Sequence, residues 1–313
     1  MDKLTAIRAF LAVVDAGGFA KAGGRLGLPK PTVSRMVRML EDELQLKLLH
    51  RTTRHLAVTR EGELYYQGAV ELLGQLEALE SQVCDAALGP RGSVRVEAPS
   101  ALAAAVLAPA LPGFFAVYPE IQLELGISNR SGSLLAENLD CVVRIGPILD
   151  DRLVALPPLK LATVACASPA YLAQYGAPRH PEALAVGHVL LRGLSPTTGQ
   201  PFLRRFQKGE ESVEVDGPSP LALNEGNTAV AAARAGLGVA VVFHHLAAPW
   251  LASGELIQLF PDWTSQAAIV QVAYLANRRL PRKVRVTVDW LQATIASMAA
   301  QSAHALAATA SPP

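Results

Sequence analysis

The sequence predicts an α/β protein made of a small helical N-terminal unit, a long connecting helix and a two-lobed α/β C-terminal domain. Three observations predict it. Helical periodicity runs, with short breaks, from Leu4 to Leu44. A seven-residue apolar repeat follows between residues 60 and 88. From Ser93 onward short apolar strands alternate with helical stretches, the pattern of an α/β domain with largely parallel sheets.

Leu4, Ile7, Phe10, Leu11 and Val14 recur at helical spacing, so a first helix is expected over about 3–16, ended by Gly17-Gly18. Phe19 to Leu26 reads as a short second helix. It holds Gly23-Gly24, and each glycine costs about 0.5–1 kcal/mol against alanine inside a helix. A close helix–helix crossing is the expected reason. Gly27-Leu28-Pro29 makes a turn, and a third helix runs from about Pro31 to Leu44 with Val33, Val37, Leu40 and Leu44 on one face. Three short helices with a tight turn between the last two describe a helix-turn-helix, here about 19–38. "LKLLHRTTRHLAVT" has β-like content around a basic centre and reads as a two-stranded wing, which completes a unit over 1–59.

Residues 60–88 predict one long linker helix. Tyr65, Ala69, Leu72, Leu76, Leu79 and Val83 step by alternating fours and threes, the spacing of a helix seam, and are read as a dimer seam. "GPRG", 89–92, breaks the helix and marks a hinge. Beyond it, "VRVEAP", "QLELGIS", "DCVVRIG", "LATVACAS" and "GVAVVF" are strands, with helices near 101–117, 132–138, 169–175, 227–236 and 282–298. This α/β domain, 93–300, divides into lobe I (about 93–162 and 267–300) and lobe II (about 163–266). The Ala-rich tail, 301–313, ends in prolines and is expected to be disordered.

Charge is distributed unevenly. Residues 1–60 hold 11 Lys/Arg and 5 Asp/Glu, a net +6, while the remaining 17 and 22 leave −5. A basic N-terminus on a mildly acidic body points to nucleic acid. Half the residues are apolar and 18% are charged, which fits a packed globular protein. Cys84, Cys141 and Cys166 show no CxxC spacing and fit a reducing cytoplasm without disulfides or zinc. The start "MDKLTAIRAF" has no signal pattern, and the apolar run 101–117 is interrupted by Pro109 and Pro112. No membrane association, cofactor or metal is expected.

The first 66 residues, including "FAKAGGRLGLPKPTVSRMVRMLEDEL", resemble the N-terminal domain of the LysR-type transcriptional regulators. The resemblance continues through "GSVRVEAP", "LDCVVRIG", "CASPAYL" and "AARAGLGVAVVF" to about residue 298. It implies a winged helix-turn-helix joined to a periplasmic-binding-protein-like effector domain. It also implies a homodimer or homotetramer that binds double-stranded DNA, responds to a small-molecule effector and changes access by RNA polymerase.

A recognition helix brings its N-terminal side chains to base edges in the major groove. Lys30, Pro31, Thr32, Ser34, Arg35 and Arg38 occupy that end or its exposed face. Arg35 suits guanine or phosphate, and Thr32 and Ser34 suit phosphate or a thymine methyl. Where relatives place a capping serine this chain has Pro29, so a cap worth about 0.5–2 kcal/mol is missing. In the wing, Arg51, Thr52 and Arg54 suit phosphate and minor-groove contact, with a turn-bracing role also open to Arg51. Glu41 is expected to pair inside the domain.

By the same resemblance an anionic effector sits between the lobes, its charge held by hydroxyls and helix N-termini. Ser100, Ser128, Asn129, Gly146, Thr197, Asn227 and Thr228 match that role, and loop 195–200 is placed to close over the ligand. No catalytic constellation accompanies them, so no enzyme activity is expected. Adjacent side chains of His244-His245 diverge and do not share a metal. "GLGVA", 236–240, lacks the glycine spacing and acidic partner of a dinucleotide site. A solute-binding or enzymatic α/β protein with an accessory N-terminal domain is the competing class; the +6 N-terminus and the lack of a signal pattern and of catalytic residues favour the regulator.

Overall fold

The computed structural model describes residues 2–51, 56–129, 139–148, 150–195, 198–276 and 280–310, with the backbone alone for 51, 77–78, 80–88 and 308–310. The chain divides into two compact units, one made mainly of the chain up to Gly89 and one of most of the chain after it.

The first unit contains α1 (Lys3–Asp15), α2 (Phe19–Leu26), α3 (Lys30–Leu44), β1 (Leu49–Arg51), β2 (Leu56–Val58) and α4 (Arg60–Leu88). Asp2 starts α1 by accepting the Leu4 N–H at 3.2 Å and the Thr5 hydroxyl at 3.0 Å. Gly17, at φ 63°, ends the helix where an L side chain is disfavoured. Phe10, Val13, Val33, Val37 and Leu40 are buried together, each worth about 1.5–3 kcal/mol of transfer free energy. The wing is an antiparallel pair with His50 opposite Ala57.

The glycine pair in α2 has a different cause from a helix crossing. A Cβ on Gly23 would stand 2.6 Å from the Leu28 carbonyl oxygen, so the helix-turn-helix turn itself folds back onto Gly23. Gly24 faces open space. A comparable contact holds α4: a Cβ on Gly62 would meet the Leu48 carbonyl oxygen at 2.1 Å.

The second unit begins with β3 (Gly92–Ala98), α5 (Ser100–Leu102), a π-helical turn over Ala103–Leu107, α6 (Ala108–Val117), β4 (Ile121–Ile127), β5 (Cys141–Ile145), β6 (Leu153–Ala155) and β7 (Leu159–Leu161). There follow β8 (Thr163–Ala167), α7 (Pro169–Tyr175), β9 (Arg192–Gly193), β10 (Arg204–Lys208), β11 (Glu211–Val215) and β12 (Ala222–Leu223). It ends with α8 (Gly226–Arg234), β13 (Ala240–Phe243), α9 (His244–Ala252), β14 (Ile257–Leu259), β15 (Thr264–Ser265), β16 (Ala268–Leu275) and α10 (Arg282–Ala310). One lobe carries a six-stranded sheet in the order β4-β3-β5-β16-β6, with β7 also paired to β16. The other carries β13-β8-β14, β11-β10-β15 and β12-β9.

These sheets are mixed rather than largely parallel. β3 runs parallel to β4 and β5, but β16 is antiparallel to β5, β6 and β7, and β13 and β14 are antiparallel to β8. The reason is the path of the chain, which leaves the first lobe after Leu161 and returns at Ala268 as an antiparallel strand. Thr163 and Ser265 pin the two crossings together, with hydroxyl oxygens 2.5 Å apart and the Ser265 hydroxyl donating to the Thr163 carbonyl at 2.8 Å.

One expectation gains detail and one changes. The helix expected near 101–117 is continuous over 100–117, with Pro109 and Pro112 inside it. The ladder loosens ahead of Pro109, with the Ala108 N–H bonded to the Ala103 carbonyl five residues back. Length and composition alone would let this stretch cross a membrane, with mean hydropathy 1.9. Here it buries Leu102, Val106, Leu107 and Phe114, the last packed on Trp290 at 4.8 Å between ring centroids. The segment expected to be a disordered tail continues α10 to Ala310, with Ser302 buried and Leu306 packed on the core beneath α9. Its alanines are the strongest helix formers available, and propensity carries the helix onward.

Candidate functional site

Two sites are built by this fold, one in each unit. In the first, α3 starts without a side-chain cap. Pro29 stands at the N-cap with φ −60° and ψ 141°, and its carbonyl accepts the Thr32 and Val33 N–H groups at 2.9 and 3.2 Å. Val33, Met36, Val37 and Leu40 are buried, which fixes the rotation of the helix. That rotation leaves Lys30, Pro31, Arg35 and Arg38 exposed, with Thr32 and Ser34 half-buried. The result is one basic face at the front of an anchored helix.

The far end of α3 is held by a residue whose part in the wing the sequence does not disclose. Glu41 is 3% exposed, and its Oε1 accepts the N–H groups of Leu48 and Leu49 at 3.0 and 3.1 Å. Lys47 Nζ lies 3.2 Å from its other oxygen. A buried carboxylate thus ties the helix to the first strand of the wing, as charged acceptors on backbone donors do. Thr59 adds a second tie, donating to the Lys47 carbonyl at 2.7 Å and accepting the Gly62 N–H at 2.8 Å as α4 begins. Arg51 lies in β1, but its side chain, and Thr52 and Arg54 entirely, lie outside the described residues.

The predicted seam on α4 divides. Ala69 is buried, and Tyr65 packs edge-on to Phe10 at 5.9 Å, so both face their own core. Tyr66, Val70 and Leu73 are buried with them, and Tyr66 donates to Asp15 at 2.5 Å. The first two turns of the repeat serve the unit itself. Leu76 is half-buried, Leu72 is 51% exposed and Leu79 58%, while the side chain of Val83 lies outside the described residues.

In the second unit a cavity of about 440 Å³ lies between the lobes. Ser128, Asn129 and Gly146 line it, as does Ala101. Gly146 sits at φ 99° just past β5, a conformation that favours glycine, and its N–H donates to Ile269 at 2.8 Å. Leu194, Phe202 and Leu203, which flank loop 195–200, also line the cavity; Thr197 lies outside the described residues.

The helix end expected to hold an anionic ligand is already filled. Glu225 caps α8: its carboxylate accepts the Asn227 N–H at 3.0 Å and the Thr228 N–H and hydroxyl, both at 2.7 Å. Ser100 donates its hydroxyl to the same carboxylate at 2.6 Å, across from the other lobe, while its N–H donates to Asn129 Oδ1 at 3.0 Å. Partial burial works against ionisation of Glu225, but the donors Ser100, Thr228 and Asn227 outweigh it and hold the carboxyl at about 2. The Ser100 hydroxyl, the Asn227 N–H and both donors of Thr228 are therefore spent on the chain's own carboxylate. The acid one residue ahead of a helix beginning "GNT" is the sequence signal that identifies this cap.

The cationic side of the cavity comes from arginines. Arg144 pairs with Glu97 at 2.6 Å, although the pair is aligned as charges rather than as a well-angled hydrogen bond. Arg192 donates to Asp216 at 2.6 Å and to the Gly217 carbonyl at 3.1 Å, and Arg205 pairs with Glu214. Arg204 stacks on Phe202, 4.3 Å from the ring centroid.

The remaining reactive groups have quiet surroundings. His244 and His245 open α9, where His245 stacks on Phe243 at 5.5 Å, and burial lowers the pKa of both. Burial pushes the Cys166 thiol up to about 12, which keeps it protonated and unreactive. Among the described residues no cluster of three or more His, Cys, Asp or Glu could hold a metal.

The family model for bacterial regulatory helix-turn-helix proteins of the lysR family matches residues 4–63, and the LysR substrate binding domain model matches residues 87–296. The chain is a LysR-type transcriptional regulator. It is 36% identical over 294 residues to an HTH-type transcriptional repressor of Pseudomonas aeruginosa, covering 93% of this regulator and 92% of that one. Among solved structures it is similar to full-length AphB of Vibrio cholerae, a virulence activator, with TM-score 0.60, 29% identity and coverage of 94% and 99%. It is also similar to CrgA of Neisseria meningitidis, with TM-score 0.57, 28% identity and coverage of 92% and 97%. As a member of this family the regulator is a DNA-binding protein with an effector domain, and no catalytic family is indicated.

Proposed function

We propose that this regulator binds promoter sites as a dimer or tetramer, and that a small molecule in the interlobe cavity changes its effect on transcription. The exposed row Lys30, Arg35 and Arg38 on α3, held in place by buried Val33 and Val37, is the observation that carries the DNA reading. In this reading Lys30, Arg35 and Arg38 meet phosphate or guanine, and Pro31, Thr32 and Ser34 sit against the backbone or a thymine methyl. Arg51, Thr52 and Arg54 of the wing contribute phosphate contacts.

Leu72 and Leu79 support self-association along α4, because two leucines this exposed on one long helix favour a partner that covers them. The cavity supports ligand control: its volume suits a small molecule, and its walls come from both lobes. Occupancy then shifts an equilibrium between arrangements of the DNA-binding units and alters access by RNA polymerase. The experiment is to incubate the full chain with fragmented genomic DNA and sequence what it retains. Enriched fragments are expected to share a site with dyad symmetry; retention without any shared site removes this reading.

A further inference from the structure

The last helix is longer than its seat in the first lobe. Val284, Val288, Leu291 and Ile295 are buried there, Trp290 packs on Phe114, and Gln292 donates to the Pro157 carbonyl at 2.9 Å. The covered face of α10 then runs on past Ile295 through half-buried Met298, buried Ser302 and half-buried Leu306, in steps of three and four. Ser302 donates its hydroxyl to Met298 Sδ at 3.6 Å, so the polar group on this face is satisfied within the helix. After Met298 the sequence holds a single large apolar side chain, Leu306. At about 1.5 Å per residue it stands about 16 Å beyond Ile295. The match to the effector-domain family model ends at residue 296, before these turns begin.

That reach brings Leu306 to a place where the lobes meet. It packs against the apolar cluster in which Ala101 of the first lobe sits among Val230, Leu246, Ala247 and Leu256 of the second. Polar contacts cross at the same seam. Ser100 donates to Glu225 at 2.6 Å, and His245 Nε2 lies 3.4 Å from the Ala101 carbonyl oxygen. Gly226 lets the surfaces close: a Cβ there would stand 2.7 Å from a Leu246 methyl and 3.7 Å from the Ala101 Cβ. The chain itself also joins the lobes, at the two crossings pinned by Thr163 and Ser265. Turning one lobe on the other about those crossings slides Ala101 over α8 and α9 and exposes apolar surface, which costs free energy.

We infer that the last turns of α10 are a strap. Rooted in the first lobe, they lay Leu306 over the interlobe seam and resist turning of the lobes about their crossings. A helix is stiff along its axis, so Leu306 cannot follow the second lobe without α10 bending or the contact breaking. The strap thereby sets how readily the cavity opens, whatever enters it.

The test is hydrogen–deuterium exchange of the full chain without ligand, read peptide by peptide. Leu306→Asp sets a charge against the apolar cluster. It is expected to speed exchange about 10-fold or more in residues 100–107, 226–234 and 244–252, which form the seam. Peptides from β5, β10 and β16 are expected to stay within about 2-fold of wild type. A chain ending at Ala299 is expected to match Leu306→Asp. Leu306→Met keeps the contact and should behave as wild type, as should Ala303→Lys on the exposed side of the same turns. Leu306→Ala, a milder loss of the same contact, should speed the same three segments and decides the matter if the aspartate variant does not fold. Unchanged exchange at the seam in Leu306→Ala and in the shortened chain overturns the inference. Acceleration that spreads equally to β5, β10 and β16 overturns it too, because Leu306 then props up the whole domain. So does Ala303→Lys matching Leu306→Asp, because the contact is then not the cause.

Discussion

Both the N–H and the hydroxyl of Thr228 donate to one oxygen of Glu225, each at 2.7 Å. The regulator thus supplies its own anion to a helix end that a ligand could otherwise use. Because the folded pKa of Glu225 lies at about 2, below the usual 4.5, its stabilisation is complete above pH 4.5 and is lost as pH falls from there through 2. Glu225→Gln is expected to cost about 0.5–2 kcal/mol at pH 7, the range of a lost cap. Urea unfolding at pH 7 and pH 3 checks this: the gap between wild type and variant should narrow at the lower pH. A gap that widens there contradicts the assignment.

Glu41 is expected to matter more than its exposed acidic neighbours. Its carboxylate satisfies two backbone N–H groups at the base of the wing. Glu41→Ala leaves both donors buried without an acceptor, at about 1–3 kcal/mol each before relaxation. Asp42→Ala, at an exposed position, should fall within about 0.5 kcal/mol of wild type. Denaturant midpoints of the two variants check the contrast, and equal midpoints would remove Glu41 from this role.

The adjacent glycines of α2 should respond with opposite signs. Gly23→Ala drives a methyl against the Leu28 carbonyl and should destabilise by about 1–3 kcal/mol. Gly24→Ala meets nothing and should stabilise by about 0.5–1 kcal/mol through helix propensity. Thermal melts of the two variants decide it, and a shared sign would show that the turn does not press on Gly23.

These residues also show what a sequence does and does not disclose. The three N-terminal helices and the long helix after them are legible because apolar spacing records a buried face directly. The same spacing misassigns Tyr65 and Ala69, since a repeat shows that one face is covered without showing what covers it, and Phe10 and the core of the unit do so here. Glu225 is missed because an acid ahead of a helix looks like any loop acid until its donors are in place. Arg204 is hidden inside "FLRRF", yet the strand alternation that places it with buried Phe206 is a readable signal. Glu41 reveals an internal role only through burial, which three consecutive acids do not disclose.

The basic face of α3 predicts a definite salt response. Lys30→Ala removes one cation opposite phosphate or guanine, and should reduce the slope of log affinity against log salt by about 1 if it holds phosphate. Gel shifts of wild type and variant across a salt series measure the slope. An unchanged slope together with unchanged affinity takes Lys30 off the contact surface.

The central claim is that the exposed end of α3 reads a specific site. Fluorescence anisotropy of the full chain on an enriched operator and on its scrambled counterpart, with Arg35→Ala alongside, tests it most directly. The account predicts that the operator is preferred by about 10³-fold or more, and that Arg35→Ala weakens operator binding by about 5-fold or more. Equal binding to both duplexes, unaffected by Arg35→Ala, would contradict it.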